Sequence, residues 1–314
     1  MERVTILPAA EWRERERAHA ARADALTAGH RARTARRETH PIEDFLFTYY
    51  AYSPSLLRRW HPGTGVELAD ATGGPGGTEP RAGWRWYAPG ATAGSLTVDA
   101  AAMRREKAPL LTAVERILRS TVSRPGSFGC FGLHEWAMVY RQRAHRHPVP
   151  LRLGQGATDE VVDAHDLRCT HIDAFRFFTP EATPRNRFAP TRESQPELEQ
   201  PGCLHANMDV YKWAVKLGPL VPGELLLDAF ELARDIRYLD MQASPYDMEP
   251  WGGEPVRIET ADGKAEYVRR QRGFAERANE LRRQVLAAAF GARTPTGAQV
   301  TSAASEGAQA TSAA

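Results

Sequence analysis

The stretch 203–239, CLHANMDVYKWAVKLGPLVPGELLLDAFELARDIRYL, decides the fold class. Apolar residues recur three and four positions apart over Leu204–Leu217 and again over Glu224–Leu239, the period of a helix that buries one face. Gly218, Pro219, Pro222 and Gly223 separate the two runs and read as a short turn between helices. Lys264–Phe290, KAEYVRRQRGFAERANELRRQVLAAAF, repeats the pattern as a long closing helix. Toward the amino terminus, Val98–Thr121 spaces Met103, Leu110, Leu111, Val114, Ile117 and Leu118 as a helix, with Asp99 as its cap.

The aromatic run His40–His61, HPIEDFLFTYYAYSPSLLRRWH, reads as a buried helix stopped by Pro62 and Gly63. Short β-like runs at Gly65–Leu68, Trp84–Tyr87 and Ser95–Val98 enclose the Gly- and Pro-rich loop Thr72–Pro80 and suggest a small antiparallel ribbon. Val149–Leu153 and Leu167–Phe178 have strand-like composition, while Phe175–Gly202, with five prolines, reads as a long irregular loop. The expected fold is α+β, predominantly helical with a small antiparallel sheet. Ala10–Arg37 is a charged, alanine-rich helix with little apolar face, expected as an exposed or frayed arm. Thr294–Ala314 is built from small and polar residues. The expected organisation is a charged helical arm over 1–38, a single α+β catalytic domain over 39–290 and a disordered tail over 291–314.

Among 314 residues, 41 basic against 39 acidic side chains leave a formal charge of +2, which argues neither for nor against nucleic acid. Cys130, Cys169 and Cys203 are widely spaced with no CxxC pair, which fits a reduced, cytoplasmic setting. Met1–Arg37 does not read as a secretory signal, and no apolar run approaches the roughly 20 residues that cross a bilayer, so no membrane partner is expected.

Four stretches set polar groups among aromatic residues, where burial is costly unless each group finds a partner. Phe128–Tyr140, FGCFGLHEWAMVY, carries His134 and Glu135 on a possible helix; Met138 stands where a metalloprotease HExxH would need its second histidine. The pair also fits a helix cap with a core-edge histidine. Asp163–Phe178, DAHDLRCTHIDAFRFF, places His171 and Asp173 on one side of an expected strand, as metal ligands, an acid/base pair or a structural hydrogen bond. On the helix Leu204–Leu217, His205 and Asp209 are four apart and share a face; they can hold a metal or form a dyad, and Lys212 offers Asp209 a plain ion pair instead. The loop-like Tyr238–Glu259, YLDMQASPYDMEPWGGEPVRIE, contains Asp240 and Tyr246, with Asp240 at a helix end where the dipole disfavours a carboxylate. Phosphate-binding glycine loops and a GxSxG elbow are absent.

The runs His40–Gly63 (HPIEDFLFTYYAYSPSLLRRWHPG), Leu133–Arg141 (LHEWAMVYR), Arg168–Ala182 (RCTHIDAFRFFTPEA), His205–Leu217 (HANMDVYKWAVKL) and Leu239–Met248 (LDMQASPYDM) resemble a bacterial family labelled 3-methyladenine DNA glycosylase. The resemblance covers about His40–Leu286. It implies hydrolysis of the bond between sugar and alkylated base, with an aspartate supporting the cationic sugar and aromatic residues holding a flipped base. KLGPLVPG (Lys216–Gly223) separates two helices as a DNA-binding hairpin would, but it lacks the GVG turn, and its prolines remove N–H donors to phosphate.

The leading expectation is therefore an N-glycosidic hydrolase acting on DNA or a modified nucleoside, without a cofactor. Asp240 is its favoured carboxylate, Asp209, His205 and Glu135 are further candidates, and Tyr49, Tyr50, Trp213 and Tyr246 are candidate substrate contacts. The alternative is a metal-dependent hydrolase or oxygenase holding divalent Fe, Zn or Mn through a set drawn from His134, His171, Asp173, His205 and Asp209. A third reading, a nucleic-acid or acidic-partner binder using the basic run Arg141–His147, is the weakest, since such runs are usually solvated faces.

Overall fold

The computed structural model describes residues 4–72, 80–142 and 149–291. The interior of the Thr72–Pro80 loop, most of Arg141–His147 and all but Gly291 of the 291–314 segment lie outside the described residues. In chain order the elements are β1 (Thr5–Leu7), α1 (Ala9–Arg36), α2 (Glu43–Tyr49), α3 (Pro54–Leu57), β2 (Val66–Leu68), β3 (Tyr87–Pro89), β4 (Leu96–Val98), α4 (Ala100–Glu106) and α5 (Ala108–Ser123). There follow α6 (Leu133–Ala137), α7 (Gly154–Asp163), α8 (Ile172–Phe175), α9 (Gln195–Leu198), α10 (Leu204–Leu217), α11 (Gly223–Gln242) and α12 (Ala261–Phe290). The fold is α+β and predominantly helical, as expected.

Helices α10, α11 and α12 pack on one another, with α5 against α12, and form the scaffold of the site. Ala229, Ala233 and Ala278 are buried at these contacts, where small side chains let backbones approach. The α10–α11 turn works because Gly218 adopts φ +52, which a side chain would strain, and Pro222 then presets the entry into α11. Asp99 caps α4 through the Ala102 N–H at 2.8 Å. The helix expected over Val98–Thr121 is divided at Lys107, beyond which Pro109 opens α5.

Three further expectations are corrected. His40–His61 is two short helices, because Pro54 holds Ser53 extended and Ala51 takes φ +49; the Ser53 hydroxyl then accepts from the Leu56 N–H to cap α3. The sheet has order β1-β2-β4-β3 and is mixed, since β1 joins β2 in parallel while the other two pairings are antiparallel. Among the described residues, Val149–Leu153 and Leu167–Phe178 form only the isolated bridges Leu151–Tyr246 and Leu167–Asn186. At the second, the Asn186 side-chain amide donates to the Cys169 carbonyl at 2.9 Å and its oxygen accepts from the Cys169 N–H at 2.8 Å, so one side chain replaces a neighbouring strand.

The arm is not frayed. Helix α1 packs along α11 and α3; Trp12 is fully buried and donates its indole N–H to the Ala69 carbonyl at 2.9 Å. Arg22 reaches Asp228 and Glu231 on α11, both at 2.7 Å. Trp12, polar contacts and a few small residues dock this helix, which is why its sequence shows little apolar face. Among the described residues, no helix is long and apolar enough to cross a membrane.

Candidate functional site

Four segments converge beside the α10–α11–α12 scaffold. Phe131 at φ +49 and Gly132 at φ +73 turn the chain sharply into α6, whose five residues are all buried, His134 and Glu135 included. A Cβ on Gly132 would stand 3.3 Å from the Tyr267 ring, so the turn requires glycine for space as well as for φ. On α10, His205 and Asp209 stack one turn apart and are both buried. The last turn of α11 brings Arg237 and the fully buried Asp240.

His134 Nε2 lies 2.8 Å from Asp240 Oδ1, and Arg237 Nη1 donates to Asp240 Oδ2 at 2.6 Å and to Glu135 Oε1 at 3.0 Å. The guanidinium rests 4.2 Å over the Phe45 ring. The His205 ring stands edge-on to His134 with centroids 4.5 Å apart. One ligand-capable atom from each of His134, Glu135, His205 and Asp240 lies within 4.8 Å of the others. Burial opposes charge on His134, but Asp240 beside it raises the pKa well above the ordinary value. For His205, burial and then the neighbouring His134 push it well below. Asp240 is held low by His134, His205 and Arg237 despite its burial.

A second group adjoins the first through His205, whose ring is 5.4 Å from that of His171. His171 sits at the start of α8 and is fully buried. Its Nε2 is 3.1 Å from Glu199 Oε1 and 3.3 Å from Asp209 Oδ2. The ring is not aligned for a hydrogen bond with either oxygen, and neither His171 nitrogen has an aligned partner among the described residues. Lys212 bridges Asp209 at 2.7 Å and Asp173 at 3.0 Å, and Arg192 clamps Asp173 from the other side. His171, Asp173 and Asp209 also offer atoms within 4.8 Å of one another. Burial opposes the charged form of His171, yet Glu199 and Asp209 raise it to about 9. Asp209 and Asp173 are held below the usual carboxylate range, against their burial, by Lys212 and His171 and by Arg192 and Lys212 respectively.

The structure thus joins His134, Glu135, His171, Asp173, His205, Asp209 and Asp240. Asp173 and His171 meet through the first turn of α8, not along a strand. Asp240 lies in the last turn of α11, at a helix end as expected, and its neighbours answer the unfavourable dipole. Of the aromatic candidates, Tyr49 is half-buried near the second group; burial and then Asp209 and Asp173 raise its pKa. Tyr50 packs edge-on against Tyr49 and Tyr211, with centroids at 4.8 and 5.0 Å. Trp213 is buried, with Lys212 Nζ 4.7 Å from its ring. Tyr246 belongs to a separate apolar cluster with Ile42, Val139 and Met248.

Arg192, Glu199 and Arg237 went unnoticed in the sequence. The proline-rich loop that delivers the first two was the available signal; for Arg237 it was the spacing of three from Asp240. His134 and His205 border a cavity of about 10 Å³, together with Cys130, Cys169, Cys203 and Gln271. That is room for about one water molecule. No family model, curated protein or solved structure matches the chain.

Proposed function

We propose that this chain is a metal-dependent enzyme, a hydrolase or oxygenase, whose centre holds a divalent ion through His134, Glu135, His205 and Asp240. The observation that carries the reading is an unsatisfied imidazole nitrogen where four ligand-capable side chains converge. His205 Nδ1 is buried with no aligned partner among the described residues, and its residue offers an atom within 4.8 Å of atoms of His134, Glu135 and Asp240. Each such buried polar atom costs about 1–3 kcal/mol, a cost that coordination removes. Two imidazoles with two carboxylates suit iron(II), zinc or manganese. Arg237 then acts as an outer partner that orients both carboxylates, as such ligands require. The ion would supply a Lewis acid. Beside it, His171 with Asp209 and Lys212 provides groups that can move a proton.

The N-glycosidic reading rests on the resemblance. It draws less support from the geometry, because the cavity beside His134 and His205 is smaller than any nucleobase. One experiment separates the two. Elemental analysis of untagged protein should find close to one equivalent of iron, zinc or manganese, lost in His205→Ala. Absence of metal from the untreated protein and after reloading with each ion sinks the proposal. Release of free alkylated base by that metal-free protein, stopped by Asp240→Asn, would establish the glycosylase.

A further inference from the structure

His171 is fully buried, and neither of its ring nitrogens has an aligned partner among the described residues. Its surroundings are carboxylates. Nε2 lies 3.1 Å from Glu199 Oε1 and 3.3 Å from Asp209 Oδ2, and His171, Asp173 and Asp209 each offer an atom within 4.8 Å of the others. All four residues are buried. None of them belongs to the set His134, Glu135, His205 and Asp240, although α10 contributes to both groups, His205 to one and Asp209, a turn later, to the other.

An ion-pair network around a protonated His171 would be the plain structural role. An imidazolium held by carboxylates points its N–H groups at their oxygens, but here the oxygens at 3.1 and 3.3 Å lie off the N–H direction. Coordination requires such an offset. Ligand atoms about 2.1 Å from one ion stand about 3.0 Å apart in an octahedron and about 3.4 Å apart in a tetrahedron. The line joining two of them is then inclined by about 35–45° to each bond to the ion, too oblique for a hydrogen bond. The observed spacing and misalignment therefore match a shared cation better than a shared proton.

The neighbouring charges leave one carboxylate for such an ion. Asp173 is met by Arg176, Arg192 and Lys212, and Asp209 by Lys212, whereas among the described residues no lysine or arginine pairs with Glu199. The Gln195 amide instead donates to Glu199 Oε1 at 2.5 Å and fixes the orientation of that carboxylate, as the outer partner of a metal ligand does.

We propose that His171, Glu199 and Asp209, with Asp173 beside them, form a second divalent-cation site. One imidazole among carboxylates is an oxygen-rich set, which suits manganese(II). With the cation bound, His171 serves as a ligand, and Lys212, bonded to Asp173 and Asp209, remains as the group that can carry a proton there. The His171 and His205 rings, 5.4 Å apart, set the two sites side by side. The second site shares no ligand with the first and does not depend on an ion being held there.

The test is manganese(II) titration of the full-length chain after chelator treatment, read by the paramagnetic resonance of unbound manganese. The native chain should bind a manganese equivalent that His205→Ala keeps and His171→Ala loses. Glu199→Gln, which preserves size and shape, should weaken its binding by at least about tenfold, a loss that removal of an outer partner alone can cause. Urea unfolding of each metal-free variant checks that the fold is kept, and Glu199→Gln decides the matter if His171→Ala does not fold. A single equivalent that His205→Ala keeps and Glu199→Gln loses would uphold this site and count against the first. A single equivalent lost in His205→Ala and kept in Glu199→Gln overturns the proposal and leaves the first site standing. A native chain that binds no manganese overturns it as well.

Discussion

Arg237 is the residue whose removal should disturb the fold and the site together. Its side chain is 5% exposed, bonded to Asp240 at 2.6 Å and Glu135 at 3.0 Å, and its guanidinium lies over Phe45. Arg237→Met keeps most of the side-chain volume but strips buried Glu135 and Asp240 of the guanidinium they share, leaving Asp240 its contact with His134. Breaking a buried pair in this way costs about 3–5 kcal/mol. At about 2–4 °C per kcal/mol for a chain of this size, melting should fall by about 6–20 °C. The assay is thermal and urea unfolding of chelator-treated protein, so that no bound ion offsets the loss. Asp240→Asn removes one of the stranded charges, so the double variant should be destabilised by at least about 1 kcal/mol less than the sum of the singles. A loss below about 1 kcal/mol for Arg237→Met, or strict additivity in the cycle, would refute the view that this arginine fixes the two carboxylates.

His61 is depressed to about 3 by burial and by Arg81, and its Nδ1 lies 2.9 Å from the Tyr87 hydroxyl. The folded ring is thus neutral while the unfolded ring takes a proton below about 6.5, so stability should fall with pH between about 6.5 and 3. Between pH 7 and 5 that amounts to about 2 kcal/mol, and urea unfolding should show this share of the pH dependence missing in His61→Asn. Gly218→Ala forces φ +52 on a residue with a side chain; calorimetry should register about 1–3 kcal/mol lost. Trp12→Ala empties a fully buried site and should cost about 3–5 kcal/mol. Limited proteolysis should then cut within α1 much faster than in the parent chain; unchanged cutting would mean that Trp12 does not dock the arm.

Helices α10, α11 and α12 were legible because a helix satisfies its own backbone, so Leu204–Leu217 declares itself without reference to the rest of the chain. Strands have no such independence. Leu167–Phe178 has the composition of a strand, yet among the described residues its one bridge is to Asn186, whose side-chain amide does not propagate a ladder. The same division runs through the site. His205 with Asp209 was visible because four residues make one helical turn, and His171 with Asp173 was visible as a pair although the geometry assumed for it was wrong. What short spacing cannot reveal is that His134 and Asp240, 106 residues apart, share a hydrogen bond, or that Glu199 leaves a proline-rich loop to face His171. The cysteines show the limit most clearly, since each has its histidine close by in sequence while the thiols meet only through the packing of three separate segments. Local spacing thus discloses parts of a centre, and the number of parts that meet depends on helix packing that no single stretch encodes.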